Sequence, residues 1–157
     1  MSKYRDLSKI TELIIHCAAT PNGRHFTIKD IDNWHGERGF KRNPLAQKFH
    51  APTLAHVGYH FVIDLNGRLA CGRALTETGA HAKGHNAVSI GICLIGTDKF
   101  TPAQWQTLRD YVLCLRHRFP AIAIIGHNYV NHHKICPGFS VQDWLQNDMQ
   151  PLSEHQL

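Results

Sequence analysis

Long hydrophobic runs are missing from this chain. Runs such as Leu13 to Ile15 and Ile122 to Ile125 fall far short of the about 20 apolar residues a membrane-spanning helix needs, so none is expected. Cysteine is scarce and shows no pairing pattern. Cys17, Cys71, Cys93, Cys114 and Cys136 are odd in number, widely spaced and without a Cys-x-x-Cys pair, which argues against a disulfide framework or a zinc finger. Most of them are expected to be reduced, buried and small. Basic runs are absent too. The 17 lysines and arginines exceed the 12 acidic residues and give a net charge of +5. They are nevertheless scattered, with no aromatic-interleaved stripe, so nucleic acid is not expected as the primary ligand. A mild positive charge suits a polyanionic surface at least as well. Met1-Ser2-Lys3-Tyr4-Arg5-Asp6 leads into no apolar stretch with a small-residue cleavage site and does not read as a signal peptide, so synthesis in the cytoplasm is expected. No repeat, low-complexity tract or Pro/Ser linker divides the 157 residues, and a hydrophobic content of 43% suffices for one core and one domain, 1–157.

What is present reads as alternating strands and helices. Glu12 to Cys17 is a short β-prone run that forms a buried strand. Thr27 can cap a helix through about Gly39, with Ile28, Ile31 and Trp34-His35 on one face. Val57 to Ile63 and Arg68 to Gly72 form a hairpin about Asp64-Leu65-Asn66-Gly67, where Asn-Gly supplies the positive φ angles of a tight turn. Ser89 to Ile95 and Ala121 to Ile125 are further strands. Between them Thr101-Pro102-Ala103-Gln104 combines a cap, Pro at the first helical position and a capping-box Gln. Trp105, Leu108, Val112, Leu115 and Phe119 follow at helical spacing. Ser140 caps a short last helix, and its Trp144, like Trp105, belongs to the core. These elements imply an α/β architecture, a single mixed central β-sheet flanked by helices.

Histidine is abundant, with 13 residues. His16 lies at or next to the end of the first strand, and His127 directly follows Ile124-Ile125-Gly126. Cys136 is nine residues further, in a loop closing with Pro137-Gly138. Two imidazoles and a thiolate from strand ends would hold zinc and leave a fourth tetrahedral position open, the mark of a catalytic site. Spacing alone leaves the plainer alternative standing, in which these are hydrogen-bonded rim histidines and a buried cysteine.

The order of motifs adds more. Leu13-Ile14-Ile15-His16-Cys17-Ala18-Ala19-Thr20, Trp34-His35, Val57-Gly58-Tyr59-His60-Phe61, Gly79-Ala80-His81-Ala82-Lys83-Gly84-His85-Asn86, Ser89-Ile90-Gly91-Ile92, Phe100-Thr101-Pro102-Ala103-Gln104, Gly126-His127 and Lys134-Ile135-Cys136-Pro137-Gly138 span about residues 10–145. In content and order they closely resemble the type 2 N-acetylmuramoyl-L-alanine amidases. The short phage lysozymes of amidase type look nearest, with peptidoglycan recognition proteins more distant. The resemblance implies Zn2+ held by His16, His127 and Cys136, with Tyr59 and Lys134 as catalytic residues. It further implies hydrolysis of the amide between N-acetylmuramic acid and L-alanine of peptidoglycan, with Lys134 stabilising the oxyanion and Tyr59 orienting water or carbonyl. His35 and His81 are candidates for contacting the glycan or peptide. A phage or prophage endolysin is implied, made in the host cytoplasm, working as a monomer and reaching periplasmic peptidoglycan after holin-type release.

Other readings share parts of the pattern. A cytoplasmic wall-recycling amidase, a peptidoglycan-binding module without catalysis, and a cysteine peptidase with Cys136 as nucleophile are the competing classes. His132 and His133 are alternative ligands, whereas Cys17, adjoining His16 on a strand, faces the other way and reads as core. Residues 41–56 exceed the shortest relatives of this pattern and are expected to form a rim over the cleft.

Overall fold

In Glu12–Cys17 (β1) every residue after the first is buried, as a strand covered on both faces requires. The structure, a computed structural model, describes residues 3–157. β1 lies inside a five-stranded sheet whose other members are Phe61–Ile63 (β2), Leu69–Cys71 (β3), Ser89–Leu94 (β4) and Ala123–Gly126 (β5). The order is β3-β2-β4-β1-β5, parallel throughout except for antiparallel β3 at one edge. Alternation divides the side chains. Leu13, Ile15, Cys17, Ile90, Ile92, Leu94 and Ile124 pack on Pro102–Arg118 (α3) and Val141–Gln146 (α5), whereas Val62, Cys93 and Ile95 pack with Ile31 of Ile28–Glu37 (α1). The expected mixed sheet between helices is present, and Cys17, Trp105 and Trp144 are buried.

Local chemistry explains the helix ends. Thr27 and Asp30 form a capping box on α1, and Thr101 and Gln104 form one on α3, each satisfying amides that the first turn leaves open. Pro44–Phe49 (α2) lies inside the long 41–56 segment. Asn43 starts it by accepting from the amides of Leu45 and Ala46, with Pro44 at the first position. The segment is anchored by buried Arg42, which pairs with buried Glu77 at 2.9 Å and donates to the carbonyls of His50, Ala51 and Leu54. Glu77 ties the segment to the 73–78 loop, and Lys29 of α1 donates to the Thr53 carbonyl at 3.2 Å.

Several expected details need correction. β2 begins at Phe61 and not at Val57, because Asp32 and His35 of α1 capture the amides of His56, Val57 and Gly58 with their side chains. The hairpin turn uses one positive φ, at Gly67 (+81°), and not two. The Asp64 carboxylate instead accepts from the amides of Asn66 and Arg68, which lengthens the turn. β5 starts at Ala123, since Ile122 is still turning with its amide on the Phe119 carbonyl. The segment after β5 includes a helical turn, His127–Val130 (α4). All five cysteines are free, but Cys71 on the edge strand and Cys114 on α3 are exposed.

Candidate metal centre

Parallel pairing sets Ile15 of β1 opposite Gly126 of β5, so the next residues, His16 and His127, stand side by side where both strands end. Strand ends of an α/β sheet are where backbone stops covering side chains, which makes them natural places for a site. The chain returns through α4 and a loop in which the Asn128 amide bonds the Cys136 carbonyl and the Lys134 amide bonds the Asn131 carbonyl. That return brings the Cys136 thiol to the amide of Cys17, which donates to Sγ at 3.1 Å.

One ligand atom each from His16, His127 and Cys136 lies within 4.8 Å of the others. His16 Nδ1 and Cys136 Sγ are 3.8 Å apart, and the two imidazole rings are 4.6 Å apart between centroids. Two such donors on a tetrahedral zinc stand about 3.6 Å apart, given Zn–N near 2.05 Å and Zn–S near 2.3 Å. The donor set thus fits the ion in chemistry and spacing. Burial first, then the neighbouring His127 and His35, hold His16 well below the usual imidazole pKa, so it presents a neutral ring, the form that ligates. His127 is lowered as well, by burial and then by the charge of Lys134. The Cys136 thiol is pushed up, by its hydrogen bond with Cys17 and then by burial.

The remaining candidates surround this cluster. The Tyr59 ring is 5.1 Å from that of His16 and 5.3 Å from that of His35. Its hydroxyl is held well above the usual phenol pKa, chiefly by burial and then by the nearby Cys93 and Cys136 thiols, so it stays protonated. Lys134 is exposed on the loop, near enough to His127 to affect its charge. His35 is buried with Nδ1 accepting from the Gly58 amide at 2.8 Å, and the Phe40 ring packs against it, tilted, at 4.7 Å between centroids. His81 Nδ1 is 2.9 Å from His16 Nε2, and its Nε2 is 3.2 Å from Ser89 Oγ. His132 and His133 are exposed and outside the three-residue cluster. Ser89 escaped sequence reasoning, though Gly91, alone in an isoleucine-rich strand, signals that something approaches the backbone there.

Burial of neutral histidines has a consequence for acid stability. His60, fully buried with Nδ1 accepting from the Gly91 amide, is pushed down to about 3 by burial and then Arg5, and His35 to about 4 by burial and then Arg38 and Arg73. Below the usual 6.5 the unfolded chain takes up protons that the folded chain refuses, so stability falls as pH drops from 6.5 towards 4 and 3. Each such group contributes a loss of about 1.4 kcal/mol per pH unit across its window. Urea unfolding of the metal-free protein should show the midpoint falling steeply between pH 6.5 and pH 4.5, with the His60 ring resonances unmoved in the folded state. A flat midpoint, or a His60 ring that titrates near 6.5, contradicts this burial.

Comparison with known proteins gives the family and the fold. The N-acetylmuramoyl-L-alanine amidase family profile matches residues 6–139. The endolysin of Klebsiella phage KP32 is 30% identical over 161 residues, covering 98% of this chain and 97% of the relative. That of Enterobacteria phage T3 is 33% identical, covering 93% and 92%. Among solved structures, the N-acetylmuramoyl-L-alanine amidase LysC from Clostridium intestinale URNW superposes with a TM-score of 0.72 at 24% identity, over 90% of this chain and 85% of that one. No helix among the described residues is long and apolar enough to cross a membrane.

Proposed function

The chain belongs to the N-acetylmuramoyl-L-alanine amidase family, and from that premise we propose that it is a zinc-dependent endolysin that cleaves the amide joining the lactyl group of N-acetylmuramic acid to L-alanine in peptidoglycan. The observation that carries this reading is the convergence of His16, His127 and Cys136 donor atoms within 4.8 Å on two adjacent strand ends and the loop that returns to them. When bound, zinc supplies Lewis acidity, polarising a carbonyl and lowering the pKa of water towards neutrality.

The protein's own groups supply the rest. Hydrolysis adds hydroxyl to the lactyl carbonyl carbon, breaks its bond to nitrogen and releases the L-alanine amine with a proton. Negative charge gathers on the carbonyl oxygen along the way. Lys134 offers a positive charge on the exposed loop beside His127, where it can meet that charge without being buried by substrate-free packing. Tyr59, kept protonated, has its ring 5.1 Å from that of His16 and is proposed to orient water or carbonyl through its hydroxyl. His35, buried with its ring 5.3 Å from that of Tyr59, is proposed to hold the tyrosine ring beside His16. The likeness to phage endolysins along nearly the whole chain favours lysis of a bacterial wall over recycling of its fragments.

Digestion of purified sacculi tests the reading. Mass spectrometry should find soluble stem peptides with a free L-alanine amine and glycan strands left uncut. New reducing sugar ends, or peptides cut internally, contradict the assigned bond.

A further inference from the structure

We infer that His81 is a positioning residue which, with Ser89, fixes the tautomer and orientation of His16 so that its Nδ1 lone pair faces the zinc site. The inference rests on the zinc reading above and deepens it.

Counting protons along the contacts gives a single direction. The Ser89 hydroxyl donates to the His85 carbonyl at 2.8 Å, which commits its only proton. Its contact with His81 Nε2 at 3.2 Å must therefore be donated by the His81 N–H. A neutral His81 then has a bare Nδ1, which accepts from His16 Nε2–H at 2.9 Å. The only lone pair left on His16 is at Nδ1, the atom facing Cys136 Sγ at 3.8 Å. Reversing any one proton in this chain would place a proton on the atom meant for the metal. Groups that accept the second N–H of a ligating imidazole set both its ring angle and its basicity.

The surroundings hold His81 to this task. Its amide and that of Ala82 both donate to Asn86 Oδ1 at 2.9 Å, closing the loop beneath the ring. Arg5 clamps the same region through the Ser89 carbonyl at 2.6 Å and the Asn86 carbonyl at 3.1 Å. Gly91 of β4 provides the floor. A Cβ built there would lie 2.6 Å from Cγ and Cδ2 of His81, so the ring occupies the space that any other residue would fill.

Zinc affinity of the apo protein, measured by competition with a chromophoric chelator, separates this role from others. His81→Asn puts an amide oxygen near the Nδ1 position, while His81→Leu fills similar volume without an acceptor. His81→Leu should lose about 10- to 100-fold in zinc affinity, and His81→Asn should recover most of it. Ser89→Ala, which removes only a hydroxyl and leaves the ring packed, should weaken zinc measurably with its metal-free unfolding midpoint unchanged. It keeps the inference testable if His81→Leu does not fold. Equal zinc affinity in His81→Leu and the parent, with a raised KM for muropeptides, would make His81 a substrate contact and overturn the inference alone. Equal loss in His81→Asn and His81→Leu, or unchanged affinity in Ser89→Ala, would also overturn it. Absence of zinc binding in the parent protein would overturn the zinc reading and this inference together.

Discussion

His16→Ala and Cys136→Ala are expected to lose zinc and peptidoglycan hydrolysis together, while Cys17→Ala and Cys114→Ala keep both. His16 is buried on β1 with Nδ1 towards the cluster, and Cys136 supplies its only sulfur. Removing either leaves two donors, too few to retain a tetrahedral ion against solvent. Cys17 is adjacent in sequence and touches the Cys136 sulfur through its backbone amide and carbonyl, yet it lies outside the three-residue donor cluster and its side chain packs in the α3-facing core. Cys114 lies exposed on α3. Elemental analysis beside a sacculus-clearing assay reads both properties. Zinc retained by Cys136→Ala would move the third ligand to His132 or His133, against their exposed positions outside the cluster.

Lys134→Ala should lower turnover about a hundredfold to a thousandfold, with zinc content and wall binding nearly intact, the usual cost of losing one group that stabilises an oxyanion. The reasoning is differential. An interaction made only as charge develops on the carbonyl oxygen lowers the barrier without tightening the ground state, so kcat falls and zinc does not. Lys134 is solvated in the free protein, so no folding penalty should accompany its loss. Tyr59→Phe keeps the ring against His16 and His35 and deletes only the hydroxyl, which isolates the orienting role from packing. Steady-state kinetics on a soluble muropeptide, with metal content measured in parallel, checks both variants. Parent-like turnover in Lys134→Ala would mean that it is an ordinary surface lysine. Parent-like turnover in Tyr59→Phe would confine that residue to packing.

The parts of this protein written in local sequence were legible there. Thr27 with Asp30 and Thr101 with Gln104 each build a helix start from residues within four positions, and the alternation along Glu12–Cys17 separates His16 from Cys17 without further information. The strand ends likewise placed His16 and His127 near one edge, though their spacing alone did not distinguish ligands from rim histidines. What was not legible depends on partners distant in the chain. The His16–His81 contact joins residues 65 apart, and the Arg42–Glu77 contact residues 35 apart. Asp32 and His35 shorten β2 by taking amides that the β-prone run of Val57 to Ile63 would otherwise offer to a neighbour. No pattern within 56–63 could reveal that competition. Cys71 and Cys114 ended exposed because burial there is decided by sheet edge and helix face, and the general tendency of cysteine to be buried gives way to both.

The central claim is that hydrolysis by this chain runs through a zinc ion on His16, His127 and Cys136. Metal analysis of the purified, reduced protein, followed by chelation and readdition of zinc in a sacculus-clearing assay, tests it most directly. The account predicts zinc in equimolar amount, complete loss of clearing when a strong chelator strips it, and recovery on readdition. Clearing that persists in metal-free protein, and is abolished only by alkylating Cys136, would contradict the account and assign the chemistry to a cysteine nucleophile.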